Sequence, residues 1–149
     1  MEKISIIVPC RNEEKYITEF IDSILDNDYP KELMEILIID GKSTDDTASI
    51  VKRYTNRYSF IRLLINENRT VPFALNMGIK ISNGDYIIRL DAHSKIPTNY
   101  FSELVKWAKT LDADNIGTIC ITDVKNKTPK SNAIKKVLSS KFGVGNSFF

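Results

Sequence analysis

The sequence predicts an α/β domain with a mostly parallel central sheet and helices on both faces. Apolar runs of strand length, several rich in β-branched residues, recur at Ile4 to Val8, Ile36 to Ile39, Ile61 to Ile65, Tyr86 to Leu90 and Ile116 to Ile121. Between them the apolar residues switch to the three-to-four spacing of a helix face. The length of 149 residues, with 42% apolar and 27% charged side chains, suffices for one core and falls short of two ordinary domains. Strands alternating with helices imply parallel crossovers, and such sheets gather ligands at the carboxyl ends of their strands.

After the first strand, Asn12 is placed to cap a helix whose inner positions are Ile17, Phe20, Ile21, Ile24 and Leu25. After the second, Thr44 is placed to cap a helix carrying Ala48, Val51, Tyr54 and Tyr58 inward. Asp45 and Asp46 then fall in its first turn, where carboxylates favour the helix dipole. A third helix puts Ala74, Met77, Gly78 and Ile81 on one stripe and stops near Asn83-Gly84, read as a left-handed C-cap. A fourth starts at about Asn99, with Phe101, Leu104, Val105 and Ala108 inward and with Asp112 and Asp114 closing it. Asp123 to Asn132 reads as a long loop, so residues 1–123 form the α/β domain and 124–149 a basic loop and helix.

No apolar run approaches the roughly 18 to 20 residues of a membrane span, and the run after Met1-Glu2-Lys3 is too short for a signal peptide. A soluble, cytoplasmic chain is therefore expected. Cys10 and Cys120 are too few for a disulfide framework and lack metal-ligand spacing, so both are expected to be reduced and buried. The net charge of +2 hides an asymmetry. Lysines 125, 127, 130, 135, 136 and 141 stand in a tail without acids, leaving 15 bases against 19 acids before it. Such a tail suits an anionic membrane surface or a phosphate-bearing acceptor, and equally a solvated helix face. No nucleic-acid partner is expected, and the sequence leaves the oligomeric state open.

Chemistry-bearing residues collect where the predicted strands end. The first strand runs into Pro9-Cys10-Arg11-Asn12-Glu13, where a proline breaks the ladder before a helix N-terminus. The second ends in Asp40-Gly41, an acceptor for a ribose hydroxyl or base N–H beside a residue that lets a ligand approach the backbone. The fourth delivers Asp91-Ala92-His93, read as a metal and diphosphate site. An aspartate after a strand is by itself more often a cap or turn residue, but three such segments on strand ends of one small chain arise by chance far more rarely than one.

The phrases SIIVPCRNEE, EILIIDGKSTDDT and ALNMGIKISNGDYIIRLDAH, in this order and spacing, resemble the inverting family 2 glycosyltransferases of the GT-A fold. The likeness is to the subgroup of succinoglycan-type exopolysaccharide glucosyltransferases. It implies a GT-A, Rossmann-like domain, a nucleotide-sugar donor that is most often a UDP-sugar, a divalent ion at an Asp-X-Asp motif, and inversion at the anomeric carbon. Pro9, Arg11, Asn12, Glu13 and Asp40 match the nucleotide-binding segments, Asn76 and Gly78 match the helix before the metal strand, and Arg69 stands where a donor-contacting arginine could sit. Gly41 replaces a second acid common in the family, and His93, the single histidine, replaces the closing aspartate of the metal motif.

Asp91 and His93 are thus the expected metal ligands, with Asp91 also available to the donor. An imidazole donor favours Mn²⁺ over Mg²⁺, which prefers an all-oxygen shell. The alternative for His93 is a turn cap or a phosphate hydrogen bond. Inverting transfer also needs a general base. The resemblance implies that it lies beyond Phe149, with Asp112, Asp114 and Asp123 as the candidates within the chain. The expected acceptor is a glycan or a lipid-linked diphosphate, at the cytoplasmic face of the membrane. A sugar nucleotidyltransferase would carry a glycine-rich phosphate loop after the first strand, which Pro9 to Glu13 lacks. A receiver-like signalling domain would cluster acids near that strand, whereas Glu13 and Glu14 read as helical.

Overall fold

The computed structural model describes residues 2–118 and 128–138. Four strands, β1 (Ile4–Cys10), β2 (Met34–Asp40), β3 (Ile61–Ile65) and β4 (Tyr86–Arg89), form one sheet in the order β3-β2-β1-β4. All neighbours are parallel, with Ile6 level with Ile36 on one side and Ile88 on the other. The helices are α1 (Ile17–Leu25), α2 (Thr47–Arg57), α3 (Val71–Ile81), α4 (Tyr100–Leu111) and α5 (Pro129–Leu138).

Alternation along the strands divides the core between the two faces of the sheet. Ile4, Ile6 and Val8 of β1 and Ile36 and Ile38 of β2 meet Phe20, Ile21 and Ile24 of α1, Val51 of α2, and Phe101 and Val105 of α4. Ile7, Leu37 and Ile39 point the other way, onto Ala74 of α3. The inner row of α1 is fully buried, each side chain contributing roughly 1.5–3 kcal/mol of transfer free energy. Gly78 lets α3 lie flat on Ile7 and Ile39.

Several boundaries differ from those the sequence predicts. Asn12 does not cap α1, which begins five residues later at Ile17, and α2 begins at Thr47 rather than after Thr44. The turn after α3 is no left-handed cap: Ser82 is extended, and a Cβ on Gly84 would stand 2.6 Å from the backbone nitrogen of Ser5. Glycine is required there for close approach. The Gly84 N–H donates to Ser5 Oγ at 2.7 Å, Ser5 donates to Glu35 at 2.6 Å, and the Asn83 N–H also reaches Glu35, so one buried carboxylate pins the α3–β4 turn under the sheet. Asp112 closes α4 as expected, in a left-handed conformation.

The chain divides into two compact units, Met1–Asp112 and Ala113–Phe149. In the second, residues 115–118 form no strand, and the remainder of the predicted fifth strand, with Cys120, Asp123 and most of the predicted loop, lies outside the described residues. Helix α5 starts at Pro129, inside the predicted loop. Thr128 and Ser131 close its first turn by exchanging backbone-to-hydroxyl hydrogen bonds of 2.9 and 3.1 Å. No helix among the described residues is long and apolar enough to cross a membrane.

Candidate functional site

From β1 the chain moves to β2 on one side and returns through α3 to β4 on the other, which makes the gap between β1 and β4 the topological switch point. Pro9 opens that gap. The Leu90 N–H donates to the Ile7 carbonyl at 3.1 Å, and alternate residues of a parallel strand face the same neighbour. Pro9, two residues on, faces β4 with no N–H to give. Pairing of β1 with β4 accordingly ends at Ile7 and Arg89, while pairing with β2 continues to Cys10 and Asp40. The proline breaks the ladder on one side only.

The loops after β1 and β2 are stitched together. Backbone N–H groups of Asn12, Glu13 and Glu14 donate to Ser43 Oγ, Thr47 Oγ1 and Asp45 Oδ2 at 2.9, 2.8 and 3.2 Å. In return Asn12 Oδ1 accepts from the Thr44 N–H at 2.9 Å, and Glu14 accepts from the Asp46 N–H at 3.2 Å. Asp45 Oδ1 also takes the Thr47 hydroxyl at 2.6 Å. The run Ser43-Thr44-Asp45-Asp46-Thr47 is therefore a lattice between two loops as well as the approach to a helix.

Asp40, expected to offer its carboxylate to a ribose or base, is only 2% exposed, and Ser43 takes both of its oxygens through backbone and hydroxyl. The Cys10 thiol approaches it at 3.9 Å. Asp40 shapes the loop from beneath, with each oxygen already accepting from Ser43. Burial, then the charges of Asp40, Glu13 and Asp45 and a hydrogen bond to Asp40, push the Cys10 thiol up to about 12, so it stays protonated and unreactive.

Gly41 packs against a neighbouring loop: a Cβ there would meet the Arg69 carbonyl oxygen at 3.3 Å and Arg11 Cβ at 3.5 Å. The missing side chain lets the Arg69 loop pack closely there. Arg11 and Arg69 are thereby brought to one place, both exposed. Asn66, which the sequence did not single out, anchors the β3 loop by donating its N–H to the Asp40 carbonyl at 2.8 Å and its side-chain amide to Thr70 O at 2.8 Å. Four non-glycine residues have positive φ among the described residues, and three of them, Asn12, Lys42 and Arg69, follow the ends of β1, β2 and β3. Strain of this kind persists where surrounding bonds over-determine the backbone. Asn76 is exposed in the second turn of α3, and none of the loop-to-loop bonds runs through it.

The β4 turn is built differently. Leu90 and Ala92 are buried, and Asp91 and His93 flank Ala92 as exposed residues. The Asp91 carbonyl accepts from the Ser94 N–H and hydroxyl at 3.0 and 2.7 Å, closing the turn. Asp91 Oδ1 meets Arg89 Nη2 at 3.1 Å. His93 Nδ1 lies 3.1 Å from Glu13 Oε1, and its ring meets Tyr16 edge-on with centroids 6.5 Å apart. A histidine on the β4 turn is thus held by the β1–α1 loop, across the gap that Pro9 opens.

Among the described residues no three His, Cys, Asp or Glu side chains gather around a point that could hold a metal ion. Asp91 and His93 are both exposed on one turn and offer a carboxylate oxygen and an imidazole nitrogen, atom types that divalent cations accept.

Residues 5–145 match the model of the family described as glycosyl transferase family 2. The chain belongs to this family. It is 36% identical, over its whole length and 48% of the relative's, to a dolichyl N-acetyl-α-D-glucosaminyl phosphate 3-β-D-2,3-diacetamido-2,3-dideoxy-β-D-glucuronosyltransferase of Methanococcus voltae. It is 31% identical to the succinoglycan biosynthesis protein ExoA of Rhizobium meliloti, over 95% of the chain and 43% of ExoA. The chain thus spans about half the length of these relatives. Among solved structures, Staphylococcus aureus TarS 1–349 in complex with UDP aligns with a TM-score of 0.68 and 26% identity, over 80% of this chain and 38% of TarS. The Pyrobaculum calidifontis mannosyltransferase PcManGT, in complex with GDP-Man and Mn²⁺, aligns with a TM-score of 0.68 and 30% identity, over 72% of this chain and 32% of that one. The fold is GT-A, as the sequence resemblance implied.

Proposed function

We propose that the crevice between β1 and β4 binds the diphosphate of a nucleotide sugar, a UDP-hexose, for inverting transfer to a glycan or lipid-linked acceptor in polysaccharide biosynthesis. The observation that carries this reading is the meeting of strand-end loops at the switch point, with Asp91 and His93 exposed on one turn across the gap from the β1–α1 loop. In this reading Pro9, Arg11 and Asn12 border the nucleotide, Arg69 faces its phosphates, and Asp40 and Gly41 hold the loops that form the wall. A divalent cation, Mn²⁺ before Mg²⁺, held by Asp91 and His93, would neutralise charge building on the leaving diphosphate. The UDP and GDP-Man complexes of the family's structural neighbours support a nucleotide-sugar donor, and Mn²⁺ with GDP-Man in one of them supports the cation. No described residue is assigned as the general base.

The test is a thermal-shift series with UDP, GDP and dTDP, with and without Mn²⁺. UDP with Mn²⁺ should raise the melting temperature most; stabilisation by none of the three would overturn the reading. We further propose that α5, with Lys130, Lys135 and Lys136 beside exposed Ile134, Val137 and Leu138, meets an anionic membrane surface. Co-sedimentation with vesicles should then rise with anionic lipid and fall with salt, and indifference to both removes the idea.

A further inference from the structure

We propose that Glu13 is a positioning residue for His93: its carboxylate accepts the Nδ1–H of the imidazole and so presents Nε2 to the cation. This rests on the donor-and-cation reading of the crevice. It departs from the expectation that Glu13 binds the nucleotide.

The geometry gives three reasons. First, the Glu13 backbone is already fixed by other bonds. Its N–H donates to Thr47 Oγ1 at 2.8 Å, and its carbonyl accepts from Tyr16 and Ile17, both at 2.9 Å, in the turn that opens α1. The side chain therefore leaves from a backbone that three other bonds hold in place. Second, that side chain is 20% exposed while His93 is 60% exposed, so the carboxylate is the sheltered partner and the imidazole the one presented to solvent. Third, the nitrogen in contact with Glu13 is Nδ1, at 3.1 Å. A neutral imidazole that donates Nδ1–H to a carboxylate carries its lone pair on Nε2. Metal-bound histidines commonly have such a carboxylate behind them, which fixes the tautomer and ring orientation and raises ligand basicity. Tyr16, edge-on to the ring from the same loop, restricts its rotation further.

The contact also explains how a turn on β4 keeps register with a loop on β1 after the strands have stopped pairing. Asp91 is set by its own turn, and His93 by a residue 80 positions earlier.

Two measurements test this. Mn²⁺ binding is titrated by electron paramagnetic resonance at saturating UDP for wild type, Glu13→Ala, Glu13→Gln, His93→Ala and the Glu13→Ala/His93→Ala pair. Glu13→Ala should weaken Mn²⁺ about tenfold to a hundredfold, as loss of an outer partner does. Glu13→Gln, whose amide oxygen can accept the same N–H, should recover most of it. Glu13→Ala should add nothing further once His93 is gone. UDP affinity without metal should be the same for Glu13→Ala and wild type. An equal Mn²⁺ loss in both backgrounds, or a loss of metal-free UDP affinity in Glu13→Ala, overturns the inference, the latter making Glu13 a nucleotide contact.

The second measurement needs neither UDP nor metal. Nitrogen-15 spectra of the single histidine should show the Nδ1–H tautomer in wild type and a shift toward Nε2–H in Glu13→Ala; Nε2–H in wild type overturns it. If wild type binds no UDP but shows the expected tautomer, the donor reading fails while the contact stands.

Discussion

The loops after β1 and β2 and the turn after β4 lie at the same end of the sheet but are built on opposite plans. The first two are joined by hydrogen bonds in both directions, from Asn12, Glu13 and Glu14 to Ser43, Thr47 and Asp45 and back. The β4 turn closes on itself through Ser94 and meets the β1 loop through side chains, His93 bonding Glu13 and lying edge-on to Tyr16. The difference teaches where stability and function separate. Substitutions in the stitched loops should be felt in folding, and those in the β4 turn in binding.

The largest expected effect is on the β4 side. Asp91→Ala should weaken Mn²⁺-assisted UDP binding on the order of a hundredfold, the size expected when one partner of a close charge pair is removed. Its melting temperature without ligand should match wild type, because Asp91 is exposed and its ion pair with Arg89 lies at the surface. Calorimetric titration beside a thermal melt checks both halves, and a destabilised Asp91→Ala would break the comparison.

Thr47→Val tests the other plan. The shape is kept, but the Glu13 N–H loses its acceptor and Asp45 loses a donor. Chemical denaturation should report a loss of about 1–3 kcal/mol. A cost near zero would mean that the stitching adds little beyond chain geometry.

Glu35, under the opposite end of the sheet, sharpens the contrast by showing a buried carboxylate with a purely structural task. Burial raises its pKa, but hydrogen bonds from Ser5 and from the Asn83 backbone and side chain, with the charge of Lys3, outweigh that and hold it below the usual glutamate value. Its stabilisation is therefore complete above the unfolded pKa of about 4.3 and is lost as pH falls through the lower folded value. Glu35→Gln should cost about 1–2 kcal/mol at pH 7 and flatten the acid limb of stability against pH, with UDP binding unchanged. An acid limb as steep as wild type would contradict the assignment. The smallest effect belongs to Arg89→Ala, which should change stability by less than about 0.5 kcal/mol in urea melts.

The sequence disclosed the sheet and helices α1 to α4 because burial imposes period: Ile4 to Val8 and the Ile17-Phe20-Ile21-Ile24 row read directly as core. It marked the strand ends as the candidate site, since Asp40 and Asp91 follow apolar runs. What it concealed depends on tertiary pairing. Asn12 and Thr44 are residue types that cap helices, and the same short polar side chains bridge loops; only the fold, bringing segments 32 positions apart together, decides between the two. Asp40 looked like a free acceptor because nothing in its spacing says that Ser43 will take it. Gly84 looked like a helix stop, whereas it is the backbone of Ser5 that excludes a side chain there. The Glu13–His93 contact spans 80 positions and leaves no periodic trace.

The measurement that bears most directly on the central claim is calorimetric titration of UDP into the wild-type chain with and without Mn²⁺. A crevice that joins a diphosphate to a cation on Asp91 and His93 predicts at least about tenfold tighter binding with Mn²⁺, worth roughly 1.4 kcal/mol. Equal affinity with and without the ion, or no binding in either case, would contradict it.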